Sequence, residues 1–206
     1  MTNLFIVYLA AVVVPAFFLS WRVAVLGLGL QGLMLSFVVL AGHEIDSPAV
    51  VVEFVCLLLI RAVLVPWYLF RKSDWKSTPH NLALVGRTLW QRSLLLLLTA
   101  IGFVMGLVMG QGDTRETVQI GTAASNLLVG MLMVANQRQP AAQLVGLVTF
   151  EGGVTLVELL SPHAMPFPAL LGVTAIDVFF VLTLGQYLAR FAEIAPPDGT
   201  TEREGI

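Results

Sequence analysis

Residues 93–110 read SLLLLLTAIGFVMGLVMG, eighteen residues without a charge. A helix needs about 20 apolar residues to cross the hydrocarbon core of a bilayer. Lipid offers no partner to backbone N–H and C=O groups, so a segment of this kind crosses as a helix. Working outward from it, the same reading gives seven spans, at roughly 3–20, 23–41, 49–70, 93–110, 118–136, 141–160 and 168–190. Whole-chain composition agrees. Of 206 residues, 57% are hydrophobic and only 12% charged, with a mean hydropathy of +0.87. A soluble domain carries about 25% charged residues, and a fold of this length lacks the interior to hide so much apolar surface.

The expected fold is therefore an all-α integral membrane protein. Strand-like alternation over about ten residues, the mark of a membrane barrel, is absent. Residues 1–192 read as a single transmembrane domain and 193–206, EIAPPDGTTEREGI, as a disordered tail. The first span lacks a basic start and is not read as a signal peptide. Loops are short except for 71–92, RKSDWKSTPHNLALVGRTLWQR. Its second half, from Asn81 to Gln91, is expected to lie as an interfacial helix, with Trp75 and Trp90 at headgroup level.

Lys and Arg set the orientation. Nine of the eleven basic residues fall on one side: Arg22, Arg71, Lys72, Lys76, Arg87, Arg92, Arg138, Arg190 and Arg203. Arg115 falls on the other side, and Arg61 lies within a span. This predicts the N-terminus outside and the C-terminus in the cytoplasm, as a multi-pass protein of the cell inner (plasma) membrane.

Spans one to three and five to seven share a faint pattern. A basic corner, SWR at 20–22 or NQRQ at 136–139, precedes a glycine-bearing helix, LGLGLQGLMLSFVVL at 26–40 or LVGLVTFEGGVTLVELL at 144–160. Loops with His and Pro follow, GHEIDSP at 42–48 and SPHAMP at 161–166. Two parallel three-helix units joined by span four would explain this, a known membrane architecture; chance similarity is the other reading.

Ionisable residues inside the spans carry the functional signal, since each costs at least ~2.5–3.5 kcal/mol at mid-bilayer. Glu151 stands in the middle of span six, in TFEGG, where Gly152 and Gly153 admit another backbone. A carboxyl there is either protonated or ionised against a cation, and a group poised between the two suits a proton relay; the structural alternative is a hydrogen bond to a neighbouring helix. Glu158, seven residues on, shares its face nearer the outer surface, where reaching water would also explain it. Asp177, in TAIDVFF, sits at mid-depth of span seven and is too short to snorkel far. Arg61, in LLLIRAVLVPW, cannot shed its charge and requires a carboxylate or several carbonyls. Pro66 frees a carbonyl near it. Glu53 precedes Arg61 by eight residues, about 12 Å along the axis, so a partner from another span, such as Asp177 or Glu151, or from another subunit is the better one; a fixed structural ion pair is the plainer interpretation. Gln31, Asn126 and Gln186 read as polar support between helices.

The remaining signals are negative. Cys56, the single cysteine, makes no internal disulfide or thiolate cluster. His43, His80 and His163 lie in loops or at span ends. His43–Glu44 lacks the second histidine of a zinc-protease helix. No nucleophile–base pair, phosphate loop or dinucleotide fingerprint appears. The chain is expected to hold no cofactor or metal and to bind no nucleic acid.

Two stretches, NQRQPAAQLVGLVTFEGGVTLVELL at 136–160 and LGVTAIDVFFVLTLGQYLARF at 171–191, resemble component E of hydrogenase 4. That family belongs to the membrane arm of group 4 [NiFe]-hydrogenases and formate hydrogenlyase-type complexes. IRAVLVPWY at 60–68 is similar in its in-membrane basic residue and proline. At greater distance, spans five to seven look like the small three-helix K subunit of respiratory complex I and its counterpart in multisubunit Na⁺/H⁺ antiporters. In that group, glutamates of the second and third helices belong to the proton path. Asp177 falls near the third-helix acid, whereas Glu151 sits about one turn later than its counterpart. Gln31 holds the comparable place in the first half and carries no proton. The resemblance implies a non-catalytic subunit of an oxidoreductase complex, among antiporter-like and other membrane-arm subunits, lending carboxylates to an H⁺ or Na⁺ path. Iron–sulfur, nickel and quinone chemistry would reside in those other chains. Two alternatives stand beside it: a scaffold whose charges are fixed pairs, and a stand-alone secondary transporter.

Overall fold

The computed structural model describes residues 2–18, 20–42, 48–72, 84–85, 88–137 and 140–159, with seven positions between 172 and 186. Every described element is a helix: α1 Thr2–Phe17, α2 Trp21–Gly42, α3 Pro48–Leu57, a π-helix Leu58–Leu64, α4 Val65–Lys72, α5 Leu89–Met109, α6 Thr114–Asn136 and α7 Pro140–Leu159. The π-helix joins α3 and α4 into one continuous rod. Five helices are long and apolar enough to cross a membrane: Trp21–Gly42, Val50–Arg71, Leu89–Met109, Thr114–Asn136 and Ala142–Leu159. The chain is thus a multi-pass helical protein of membrane type. The first helix is shorter, at 16 residues. Of the expected seventh span, Gly172, Ala175, Val178, Phe179, Leu182, Thr183 and Gln186 are described, and all are helical. Asp177 and the 193–206 tail lie outside the described residues.

The helix ends follow local chemistry. Pro48 and Pro140 stand at first helical positions, where a missing N–H costs nothing. Thr88 caps α5 and exchanges hydrogen bonds with Gln91 in a capping box. That cap corrects one expectation. Of the expected interfacial helix over Asn81–Gln91, the described residues Leu84, Val85 and Thr88 are bends, Leu84 and Val85 are buried, and helix begins at Leu89; residues 81–83 and 86–87 lie outside the described residues. Leu89 and Trp90 stay exposed at the start of α5. Between α5 and α6 the chain turns through Gln111 and Gly112, both at positive φ, and Asp113 caps α6 by accepting from the Arg115 N–H.

Small residues set the packing of the second half. Gly102, Gly106 and Gly110 lie four apart on α5 and face Ser125, Gly121 and Thr117 of α6. A methyl on Gly106 would come within 2.7 Å of the Gly121 nitrogen. Where lipid is as apolar as leucine, close backbone contact is what holds helices together. Ser125 adds a hydrogen bond across this seam, donating to Thr99 O at 3.0 Å. α6 packs equally closely on α7, with Gly130 against Phe150 and Gly153 against Leu127.

In the first half, α2 is the central helix. It touches α1, the α3–α4 rod and α7, while α1 also touches α6. Two glycines of α2, Gly27 and Gly32, leave no room for a methyl at these contacts, and Gly29 lies at ordinary distance. Gly27 faces the Pro15 ring, Gly29 faces Pro66 and Gly32 faces the backbone of Arg61. Four elements, α1, α6, α7 and the π-helix, thereby converge at mid-height.

Candidate functional site

The convergence point is polar. Arg61 Nη2 lies 2.6 Å from Glu151 Oε1. The π-helix supplies the arginine and α7 the glutamate, so the ion pair links the two halves of the molecule. The guanidinium is enclosed, at 8% exposure, whereas the carboxylate keeps 27%. Burial of Arg61 demands such a partner, since guanidinium keeps its proton at any ordinary pH.

Pro66 explains why the helix is widened here. It carries no N–H, and its ring crowds the carbonyl four residues back. The preceding turns respond by forming five-residue rings, closed by Val65 N–H donating to Ile60 O. Such π segments concentrate at functional sites. Gly32 completes the arrangement: a Cβ there would lie 2.5 Å from the Arg61 carbonyl carbon and 2.7 Å from its oxygen. Only a residue without a side chain lets α2 back the arginine so closely.

A neutral hydrogen-bond system borders the ion pair. Asn126 Nδ2 donates to Tyr8 Oη at 2.8 Å and to Thr149 O at 2.9 Å. Tyr8 and Asn126 are both fully buried. Gly152, next to Glu151, is the meeting place. A methyl at that position would lie 2.7 Å from Tyr8 Oη, 3.3 Å from Asn126 Nδ2 and 3.5 Å from Arg61 Nη1. The absent side chain lets groups from three other elements close on one point of α7.

The residues singled out in the sequence fall into distinct places. Arg61, Glu151 and Asn126 belong to this cluster. Gln31 is buried one layer away, where Nε2 donates to Ala11 O at 3.1 Å. Pro15 has removed the helical donor of that carbonyl, so Gln31 repairs α1. Glu158 is half-buried on α7, and Glu53 half-buried on α3. Gln186 is helical and exposed. Among the described residues, no group of three His, Cys, Asp or Glu is arranged to hold a metal. Tyr8 is the member that the sequence pattern does not single out. Its one signal is a phenol in an apolar span, since a buried tyrosine hydroxyl usually needs a partner.

No protein family, curated protein or solved structure matches this chain. The function therefore rests on the geometry of this cluster and on the residues that form it.

Proposed function

We propose that the chain is a membrane-arm subunit of an energy-converting hydrogenase or complex I-like assembly, crossing the inner membrane seven times with its N-terminus outside. Glu151 lends a protonatable group to an H⁺ or Na⁺ path, Arg61 is its charge partner, and Asp177 and Glu158 extend the path. Glu53, Gln31, Asn126 and Gln186 are supporting polar groups. Electron transfer belongs to neighbouring chains and moves charge along this path by changing its electrostatics. The observation that carries the reading is the Arg61–Glu151 pair at 2.6 Å, a titratable carboxylate beside a permanent cation inside an apolar bundle. Ionisable groups in such positions usually mark ion pathways.

The test is Glu151→Gln in the assembled complex. Coupled ion movement is expected to fall about 10²-fold, the lower end of what a positioned proton-transfer group contributes, with assembly intact on native gels. The closed geometry of the same pair also favours a second reading, a clamp between the two halves. In that case the variant loses assembly, and whatever complex forms pumps normally.

A further inference from the structure

Two fully buried side chains beside the ion pair, Tyr8 and Asn126, and a third one turn away on α6, Thr122, do not complete one another. Asn126 spends both amide hydrogens on Tyr8 and Thr149 O, yet its Oδ1 is buried and accepts nothing from the described residues. Tyr8 Oη is the acceptor of one of those bonds, so its own O–H remains to be given. Thr122, four residues before Asn126 and on the same face of α6, has a buried hydroxyl with no partner among the described residues. Other helical hydroxyls of the molecule do have partners: Ser125 gives its own to Thr99 O across the α5–α6 seam. Ser36, Thr99 and Thr155 each return theirs to the carbonyl four residues back, on Gly32, Leu95 and Glu151. Thr122 does neither among the described residues.

We propose that Asn126 Oδ1, the Tyr8 hydroxyl and Thr122 Oγ1 bind a structural water molecule, which continues the polar centre from Glu151 along α6. The stoichiometry fits. Water accepts the Tyr8 hydrogen, donates to Asn126 Oδ1 and shares a bond with the Thr122 hydroxyl, which makes three bonds, the usual number for a buried water. A buried polar atom left unmet costs about 1–3 kcal/mol, and lipid surroundings offer no other remedy. A metal cation is the wrong occupant. The Arg61 guanidinium borders the same point of α7 as Tyr8 and Asn126, and none of the three ligating groups carries a negative charge. The water stands one hydrogen bond from a hydroxyl that borders Gly152 together with Arg61, so it extends the cluster by a turn of α6 toward Thr122.

The deciding experiment is a water-resolving map of the full chain in a lipid disc or its native complex, for wild type and Thr122→Val. Wild type is expected to show water density within hydrogen-bond distance of Asn126 Oδ1 and at least one of the two hydroxyls. Thr122→Val is expected to lose or displace it while Tyr8, Asn126 and Arg61 keep their places. Radiolytic hydroxyl labelling gives a second readout that needs no variant to fold well. A bound water should make Tyr8 label in wild type despite its complete burial, and labelling should fall several-fold in Asn126→Leu or Thr122→Val. A dry site with Tyr8 unlabelled overturns the proposal, as does a side chain filling the position or a cation ringed by five or six oxygens. The inference stands apart from ion translocation. Water present in a complex whose Glu151→Gln variant pumps normally sinks the translocation reading and leaves this one intact.

Discussion

Two prolines break two helices of this bundle, and the molecule treats them differently. Pro15 removes the donor to Ala11 O in α1, and Gln31 of α2 supplies a replacement from its side-chain amide. Helix α1 continues in regular form to Phe17. Pro66 creates the same defect in the third rod, where the seven residues Leu58–Leu64 widen into a π-helix. That segment presents Arg61 to the core, where Glu151 meets it. A neutral amide mends the first break and leaves it electrically silent. The second is absorbed by backbone rearrangement and carries a charge. The lesson is that a proline in a membrane helix has no fixed meaning. The neighbouring helix decides whether it is repaired or used.

The sharpest way to break this contrast is to remove the charge. Arg61→Met leaves Glu151 without its cation and is expected to cost about 3–5 kcal/mol, read as a large drop in melting temperature in detergent or lipid discs. The double variant Arg61→Met/Glu151→Met should regain most of that loss, because the penalty belongs to the stranded partner. A double variant no better than the single one would show that the pair is not the energetic centre.

Glycine substitutions along α2 sharpen the comparison at the next level. Gly32→Ala forces a methyl to 2.5–2.7 Å of Arg61 and Ala62 backbone atoms, and overpacking of that kind typically costs about 1–3 kcal/mol. Gly29→Ala places its methyl 3.4 Å from Pro66, an ordinary contact, and should leave stability nearly unchanged. Equal effects from the two would mean that α2 does not back the π-helix as described. The smallest effect belongs to the Pro15 repair. Gln31→Leu loses one interhelical hydrogen bond, about 0.6 kcal/mol on average in membrane bundles and rarely above about 1.7. It should leave coupled ion movement untouched. A loss comparable to that of Arg61→Met would erase the distinction between the two breaks.

Some of this was legible without coordinates. A run such as 93–110 has one physical solution in lipid, so helices follow from composition. The cost of burying Arg61 and Glu151 singles them out as groups needing partners. Pro66 signalled a disturbed helix beside Arg61. Other elements were not legible. The stretch from Asn81 to Gln91 has the residues of a surface helix, yet Leu84 and Val85 within it are buried bends. Burial of that kind is set by tertiary packing, which a local pattern does not carry. Tyr8 is not singled out by the sequence pattern, because its partner Asn126 lies 118 residues away.

The sequence by itself determined that this is a bundle of apolar helices with costly charges inside, because desolvation acts on each residue wherever its neighbours lie. Only the tertiary structure decided which charge meets which, which carbonyl Gln31 serves and which groups Asn126 bonds. Those pairings depend on glycines letting helices far apart in the chain approach to within a hydrogen bond. A linear pattern cannot fix that distance, because it arises from two surfaces fitting together at once.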